Sequence, residues 1–303
     1  MLAFNYRPGY GPYAMKIIEV IARISRAIFL SRGRRANARI SCSGVVCASL
    51  LLALPFTVAG AQAVETVSPS APVWSVELEF QRLETRANTL RKGEGYTGTF
   101  VDATQYTGHE SNGGRLAAFR SIDGFHDDDE LRFVIAPFRR SGTATPKNAV
   151  IFDGAQFRAG SATTVVYKFN TYRVSYIERI LDGLRADGWD FRLGGTLAFR
   201  DARNEISQVG IRRNFFNWGP VPLLYFSGSK DLGGDWRIAG DLDAFPAPGG
   251  GGLFDGALKV AYGVTTNVEV NAGGRYQVGG ATSPAFYNYL RERAAVVGVN
   301  MRF

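Results

Sequence analysis

Two histidines are the only side chains here whose usual pKa lies close to neutral pH, so acid–base chemistry is sought there first. His109 stands in the segment Gly108-His109-Glu110-Ser111, where Ser111 could serve as a nucleophile and Glu110 as an orienting acid in acyl transfer. The spacing matches no recognised catalytic motif, and the glycine indicates a loop. His109 and Ser111 are therefore the catalytic candidates, and the interpretation that we favour for His109 is a solvated loop residue.

The second histidine, His126, precedes the acidic run Asp127-Asp128-Asp129-Glu130, whose carboxylate oxygens could gather a calcium ion. The run lacks the glycine-punctuated spacing of a dedicated calcium loop, so an acidic surface turn is the favoured interpretation. Residues 64–303 also contain no zinc-ligand spacing, nucleotide fingerprint or basic patch interleaved with aromatic residues. The sequence thus predicts no metal, no cofactor and no nucleic-acid partner.

The amino-terminal region has the three parts of a secretory signal peptide. Residues 1–63 carry eight basic residues against one acid, a net of +7 out of the +8 of the whole chain. An apolar stretch, Gly44–Gly60, leads to the small-x-small segment Ala61–Ala63, and Pro55 leaves it too short to span about 30 Å of hydrocarbon as a helix. We expect an extended leader over residues 1–63, with Met15 as an alternative start, and a mature chain over 64–303.

Removing the leader changes what the composition means. Both cysteines, Cys42 and Cys47, lie in it, so residues 64–303 can form neither a disulfide nor a thiolate metal site. The same residues keep a net charge of only +1. The basic character of the whole chain therefore gives no indication of an acidic partner.

Residues 64–303 show the period of β-strands rather than that of helices. No apolar stretch approaches the ~20 residues of a spanning helix, whereas segments of about ten residues alternate apolar with polar side chains. In one of them, Trp189, Phe191 and Leu193 share a face and Asp190 and Arg192 the other. The clearest predicted strands are Trp74–Leu83, Leu131–Phe138, Thr163–Ile180, Trp189–Arg200, Pro220–Lys230, Trp236–Ala244, Leu253–Gly263, Val268–Gln277 and Ala294–Phe303.

The links between these strands alternate in length. The short ones are rich in turn formers: Leu181–Gly188, Asp231–Asp235 and Val264–Asn267. The longer ones, predicted as loops, are Asp201–Gly219, Phe245–Gly252 and Val278–Arg293. Short turns at one end and long loops at the other are typical of a transmembrane antiparallel barrel, with the short turns in the periplasm.

The last strand, Ala294–Phe303, is apolar at every second position near its end and finishes on an aromatic residue. It resembles the C-terminal signature of small Gram-negative outer-membrane β-barrel proteins. The resemblance implies location in the cell outer membrane, contact with outer-membrane lipids and lipopolysaccharide, and recognition of Phe303 by the barrel assembly machinery. The fold that we predict is accordingly all-β, a transmembrane antiparallel up-and-down β-barrel.

The strand count must be even if both ends of the wall lie in the periplasm. The seven strands from Thr163 onward and Trp74–Leu83 give eight, the count that we favour, with residues 85–162 as one long first extracellular loop. The count is ten if Leu131–Phe138 and Ala149–Arg158 enter the wall as another hairpin. We predict the acidic run Asp127-Asp128-Asp129-Glu130 as an extracellular turn near lipopolysaccharide.

If the apolar face of each strand meets lipid, the polar face lines the lumen. The predicted lumen acids are Glu77, Glu79, Asp190, Asp241, Asp243, Asp255 and Glu269. The predicted lumen bases are Arg173, Arg192, Arg200, Arg237, Lys259, Arg275 and Arg302. An eight-stranded barrel is just wide enough for its own side chains, so we expect this balanced set to fill the interior with ion pairs.

Three classes of function remain open. The favoured one is a structural or interaction barrel, which we expect to be a monomer, with a lumen filled by salt bridges. The alternatives are a narrow channel for small solutes and a barrel enzyme that modifies lipid A or phospholipids through His109. A wide porin is disfavoured, because porins need about 16–18 strands.

Overall fold

The computed structural model describes residues 74–122, 128–247 and 251–303, and these ranges are almost wholly β-sheet. The predicted leader, His126 and Asp127 lie outside the described residues. Within them, no helix has the length and apolarity that a membrane crossing requires. The strands are β1 (Trp74–Lys92), β2 (Val101–Asp102), β3 (Glu110–Ile122), β4 (Asp129–Ala136), β5 (Arg139–Ala144), β6 (Val150–Phe152), β7 (Ala155–Phe157), β8 (Thr163–Ile180), β9 (Trp189–Gln208), β10 (Ile211–Gly233), β11 (Trp236–Ala247), β12 (Gly251–Gly263), β13 (Val268–Thr282) and β14 (Phe286–Arg302).

Ten of these strands form a closed antiparallel barrel in chain order: β1, β3, β4 and then β8 to β14. The wall closes where β14 returns to β1, with Ser75 opposite Arg302. Strand β5 follows β4 after two residues and pairs with the upper part of β8, and β2 adds two residues to β1. A four-residue helix, α1 (Thr104–Thr107), and two 3-10 turns, Glu94–Tyr96 and Asp182–Asp187, complete the described elements.

The preferred count of eight strands is therefore wrong, and ten is the count found. The extra wall hairpin is β3–β4, so residues 85–162 are not one long loop. The segment Ala149–Arg158, which the ten-stranded alternative placed in the wall, instead contains the small separate hairpin β6–β7. Strand β3 is hard to see in sequence because Asn112, Gly113 and Gly114 interrupt its alternation.

Short turns and both chain ends of the wall share one end of the barrel. These turns are Leu181–Gly188, Gly234–Asp235 and Val264–Asn267. At the same end, the backbone N–H of Trp74 donates to the backbone oxygen of Phe303 at 3.2 Å. This arrangement is that of the periplasmic end of an outer-membrane barrel. Asp128, Asp129 and Glu130, which lead into β4, are at the same end, so the predicted extracellular location of the acidic run is wrong for these residues.

The predicted long loops are mostly strand. Strands β9 and β10 run through Asp201–Gly219 to a tight hairpin at Val209 and Gly210, and Val278–Arg293 leaves only residues 283–285 outside β13 and β14. The described residues of Phe245–Gly252 likewise belong to β11 and β12. The extracellular projection of the barrel is thus an extension of its wall, made chiefly by β8, β9 and β10.

The polarity of the two wall faces inverts along these long strands. On β9, the residues that point outward are apolar from Trp189 to Phe199 and then charged: Asp201, Arg203 and Glu205. The inward face does the reverse, because Ala202 and Ile206 are buried inside the extension. The inversion marks the outer edge of the lipid-facing belt, since only the lower part of each strand meets hydrocarbon.

Aromatic side chains border this belt. At the periplasmic edge, the rings of Trp236 and Tyr262 lie 4.9 Å apart and Trp189 stacks on Phe191 at 5.3 Å. Exposed aromatic residues, Tyr172 and Trp218 among them, lie at the extracellular edge. Such girdles place rings with an apolar body and a polar tip at the two membrane interfaces.

Candidate functional site

The middle of the lumen is filled by a cluster of charged side chains that we call the ionic plug. Its acids are Glu77, Glu79, Asp241, Asp243 and Asp255, and its bases are Arg115, Arg132, Arg173, Lys259 and Arg275. All ten point inward from seven different wall strands, because strand geometry sends every second side chain to the lumen. The plug therefore crosses the whole width of the barrel.

Arg275 is the most connected base of the plug. Its Nε lies 3.0 Å from Oε1 of Glu79, its Nη1 lies 2.8 Å from Oδ1 of Asp255, and its Nη2 lies 3.4 Å from Oδ1 of Asp241. Lys259 supplements it, with Nζ 2.5 Å from Oε1 of Glu77. One guanidinium thus holds carboxylates from β1, β11 and β12 together.

A second group of contacts joins the other side of the lumen to the first. Arg132 donates to both carboxylate oxygens of Asp243, at 3.3 and 2.7 Å, and lies 4.2 Å from the centroid of the Tyr225 ring. Arg173 bridges the two groups, at 2.6 Å from Asp243 and 2.5 Å from Asp255. Every acid of the plug has a base within 4.0 Å, so the charges compensate one another.

Below the plug, a polar cavity of about 620 Å³ occupies the periplasmic half of the lumen. Arg192 lies there, 3.1 Å from Asp190 and 2.9 Å from Glu130. Arg237 pairs with Glu269 through two nitrogens, the shorter contact being 2.6 Å. This half of the lumen is open to water.

Above the plug, the lumen is closed by an apolar cluster that we call the apolar cap. Phe152 and Phe157 of the β6–β7 hairpin are 1% and 0% exposed, packed among inward-facing residues of β1, β8, β9 and β14. The wall members of the cap are Leu90, Val165, Tyr167, Phe169, Ala202, Ile206 and Leu290. A segment outside the wall thus buries itself in the mouth of the extended barrel.

The wall itself opens beside the apolar cap. Strands β10 and β11 are paired from the periplasmic end, where Gly233 faces Trp236, up to the pair Leu224 and Ala244, and then separate. Beyond this point β10 stays paired with β9 over thirteen more residues, 211–223. Pro220 and Pro222, which lack an N–H donor, stand at the separation. We call this gap between upper β10 and the rims of β11 to β14 the wall opening.

Two adjoining cavities occupy the wall opening. One, of about 200 Å³, lies between inward residues such as Phe169 and Arg200 and outward residues such as Pro220 and Gly280. The other, of about 440 Å³, is an apolar groove along the rims of β11 to β14, and it shares Gly280 with the first. The first cavity is thus lined by residues of both faces of the wall.

The residues predicted to line the lumen are distributed over these three levels. Arg173, Asp241, Asp243, Asp255, Lys259 and Arg275 belong to the plug, and Arg192, Arg237 and Glu269 to the periplasmic half. Arg200 alone lies above the plug, in the wall opening. Sequence analysis missed Arg115 and Arg132. The strand β3 was not predicted, and the predicted strand Leu131–Phe138, which carries Arg132, was left in the first loop by the preferred count of eight.

The two catalytic candidates are not brought together. Nδ1 of His109 lies 2.9 Å from the backbone oxygen of Thr85, an arrangement in which Nδ1–H donates. The Ser111 hydroxyl is buried and has no hydrogen-bond partner among the described residues. No nucleophile–base hydrogen bond joins them, and the described ranges contain no cluster of three or more potential metal ligands.

Comparison with known proteins finds similarity of fold only. No family model and no curated sequence matches the chain. Solved structures that align with it include the outer membrane protease OmpT from Escherichia coli (TM-score 0.49, 12% identity, 79% of this chain and 99% of that chain) and the neisserial surface protein NspA (TM-score 0.32, 14% identity, 76% and 97%). The attachment invasion locus protein Ail of Yersinia pestis gives a TM-score of 0.33, 10% identity and coverages of 77% and 100%. These values carry no information on activity.

The architecture itself locates the protein. In a bilayer every backbone polar group must be paired, and a closed antiparallel barrel is the one sheet that achieves this. The described wall is closed, has an even strand number and presents an apolar belt between aromatic borders. The chain is a β-barrel of the cell outer membrane.

Proposed function

We propose that this protein is a non-conducting barrel of the interaction type, which holds an extended sheet at the cell surface. The observation that carries the proposal is the stacking of two seals in one lumen, the ionic plug at mid-height and the apolar cap above it. A channel for small solutes would have to pass both. Buried pairs such as Arg173–Asp255 resist opening, because separating a partner leaves a charge uncompensated at a cost of about 3–5 kcal/mol.

The outward face of the extension has the composition of a contact surface. Phe216 and Trp218 of β10 are 58% and 70% exposed, and the Arg203 guanidinium lies 4.9 Å from the centroid of the Phe216 ring. Lys168 and Arg212 lie on the same face. Aromatic rings beside basic groups suit the interface of a lipid whose head groups carry phosphate, so lipopolysaccharide is the partner that we propose.

The two seals can be tested separately in planar bilayers. The wild-type barrel should give no discrete conductance steps. A plug variant, Arg275→Ala with Glu79→Ala, and a cap variant, Phe152→Ala with Phe157→Ala, should each stay silent because the other seal remains. Only the combined variant should conduct. Discrete steps from the wild-type protein, with heat-modifiable gel mobility confirming that it is folded, would refute the proposal.

The contact surface can be tested by fluorescence. The chain has four tryptophans, and Trp218 is the one at the extracellular edge. A variant with Trp74, Trp189 and Trp236 changed to phenylalanine would report from Trp218 alone. Its emission should shift to shorter wavelength in vesicles that contain lipopolysaccharide, compared with phosphatidylcholine vesicles. An identical spectrum in both would remove lipopolysaccharide as the partner.

A further inference from the structure

Arg200 is the one predicted lumen base that lies above the plug, and it has no acidic partner among the described residues. Its Nε and Nη2 atoms are buried without a hydrogen bond, and its guanidinium lies 5.3 Å from the centroid of the Phe169 ring. A buried cation is costly unless an anion compensates it. The plug bases, Arg192 and Arg237 all have carboxylate partners, whereas Arg200 lacks an anion that an external ligand could supply.

The cavity that contains Arg200 lies at the height of the extracellular edge of the lipid-facing belt. Arg200 stands opposite Thr171 and Gly219, and its outward-facing chain neighbour Phe199 packs on Trp218 at the extracellular edge of the belt. The guanidinium is therefore level with the membrane interface, where lipid head groups lie. The apolar groove that adjoins this cavity, about 440 Å³, runs along the rims of β11 to β14 on the side of the wall opening.

We propose that the wall opening binds a single-chain anionic lipid of the fatty-acid class. Its carboxylate would pair with Arg200, and its alkyl chain would lie in the apolar groove, entering sideways from the outer leaflet. One guanidinium with no second base in the cavity matches a head group with one negative charge, and its planar fork matches the two oxygens of a carboxylate. The combined space falls within the usual range of ligand pockets, about 300–1,000 Å³.

Neighbouring polar groups complete the head-group site. The amide oxygen of Asn288 accepts from the Tyr167 hydroxyl at 3.2 Å, which leaves the Asn288 amide N–H groups as donors at the cavity wall. Asn217 lines the cavity from β10. The proposal does not depend on the interaction function, because the site lies to one side of both seals and requires no passage through the lumen.

The test is retention of defined lipids by the full barrel in nanodiscs, measured by native mass spectrometry. Palmitate should be retained, and hexadecanol, which has the same chain without the charge, should be retained at least about tenfold less, the ratio that 1.4 kcal/mol represents. Arg200→Gln should lose palmitate to the same extent, Arg200→Lys should keep part of it, and the surface control Arg293→Gln should keep all. Ala281→Trp, which fills the space shared by the two cavities, should abolish retention.

Several results would overturn the proposal. Equal retention of hexadecanol and palmitate would show that Arg200 does not recognise the carboxylate head group. Stronger retention of palmitoyl phosphate would replace the carboxylate by a phosphate, and no retention of any of the three would remove the site. Heat-modifiable mobility of each variant shows whether the barrel is folded, and the conservative Arg200→Lys variant keeps the test valid if Arg200→Gln does not assemble.

Discussion

Removing Arg275 is the sharpest test of the ionic plug. In Arg275→Ala, the carboxylate of Asp255 keeps Arg173 at 2.5 Å and that of Glu79 keeps Lys259 at 3.4 Å, but Asp241 keeps only Arg115, at 4.0 Å. Five acids would then face four bases. Removing one partner from a buried charge cluster costs about 3–5 kcal/mol. We expect the free energy of unfolding of Arg275→Ala to fall by this amount.

The matched control is Arg293→Ala at the outer surface. Arg293 pairs with Glu84 at 2.6 Å, but the two side chains are 57% and 34% exposed. Water screens such a pair, so its loss should cost about 0–1 kcal/mol. The two variants thus remove the same side chain with the same number of atoms from two different environments on the same barrel.

The assay is urea unfolding of barrels in lipid vesicles, followed by tryptophan emission and by gel mobility without heating. A third variant, Arg275→Met with Asp241→Asn, removes the base together with the acid that depends on it most. We expect it to recover about 0.5–3 kcal/mol of the loss, the usual coupling of residues in contact. If Arg275→Ala is no less stable than Arg293→Ala, water from the periplasmic cavity compensates the carboxylates, and the plug does not stabilise the barrel.

Three further predictions concern assembly and the extension. Phe303→Asp should reduce barrel assembly in cells, measured by heat-modifiable mobility, whereas Val209→Asp at the fully exposed hairpin tip should not; equal assembly would remove the role of the terminal residue. Burial opposes ionisation of Glu205, but hydrogen bonds from Arg212 and Arg203 hold its pKa below the usual value. The ionised Glu205 therefore stabilises the hairpin at neutral pH, and this stabilisation is lost as the pH falls through the lowered pKa. A spin label at Val209→Cys should therefore gain mobility in acid, and Glu205→Gln should remove that pH dependence. A Cβ on Gly273 would lie 2.1 Å from the Leu258 backbone oxygen, so Gly273→Val should block assembly while the neighbouring Gly274→Ala does not, and assembly of both would contradict the packing described.

Sequence analysis identified the class of fold because lipid contact enforces strict alternation. Strands such as Trp189–Arg200 and Val268–Gln277 carry apolar residues at every second position over the height of the bilayer, and turn formers bound them. The direction of each side chain then follows from parity alone. The charged residues assigned to the lumen point inward for this reason, and their pairing across the barrel requires knowledge of the strand order.

The strand Thr163–Ile180 was predicted at its full length, but the extensions of β9 and β10 were not, because their polarity is reversed. If the apolar face of a strand is taken as its lipid face, the predicted strand stops at Arg200, because the outward residues that follow are charged: Asp201, Arg203 and Glu205. In the structure the strand continues, since above the membrane the outside meets water and the inside packs on the apolar cap. A search for alternation that allows the apolar face to point either outward or inward would have found the full length of β9 and β10 and the upper part of β14. The strand β3 would remain difficult, because three small residues interrupt it.

Closure of the wall has a consequence for the order in which the barrel forms. Each wall strand pairs with the next one along the chain except at the β1–β14 junction, where Ser75 and Asn300 are 225 residues apart and hydrogen bond at 3.2 Å. All other pairings can form progressively as hairpins, whereas this one must wait for the last strand. Bringing such distant segments together costs about 5 kcal/mol in chain entropy by the logarithmic rule for loop closure. Until then β1 and β14 are two unpaired edges, so the passage from open sheet to ring is the step at which an unassisted chain is most exposed to pairing with another molecule.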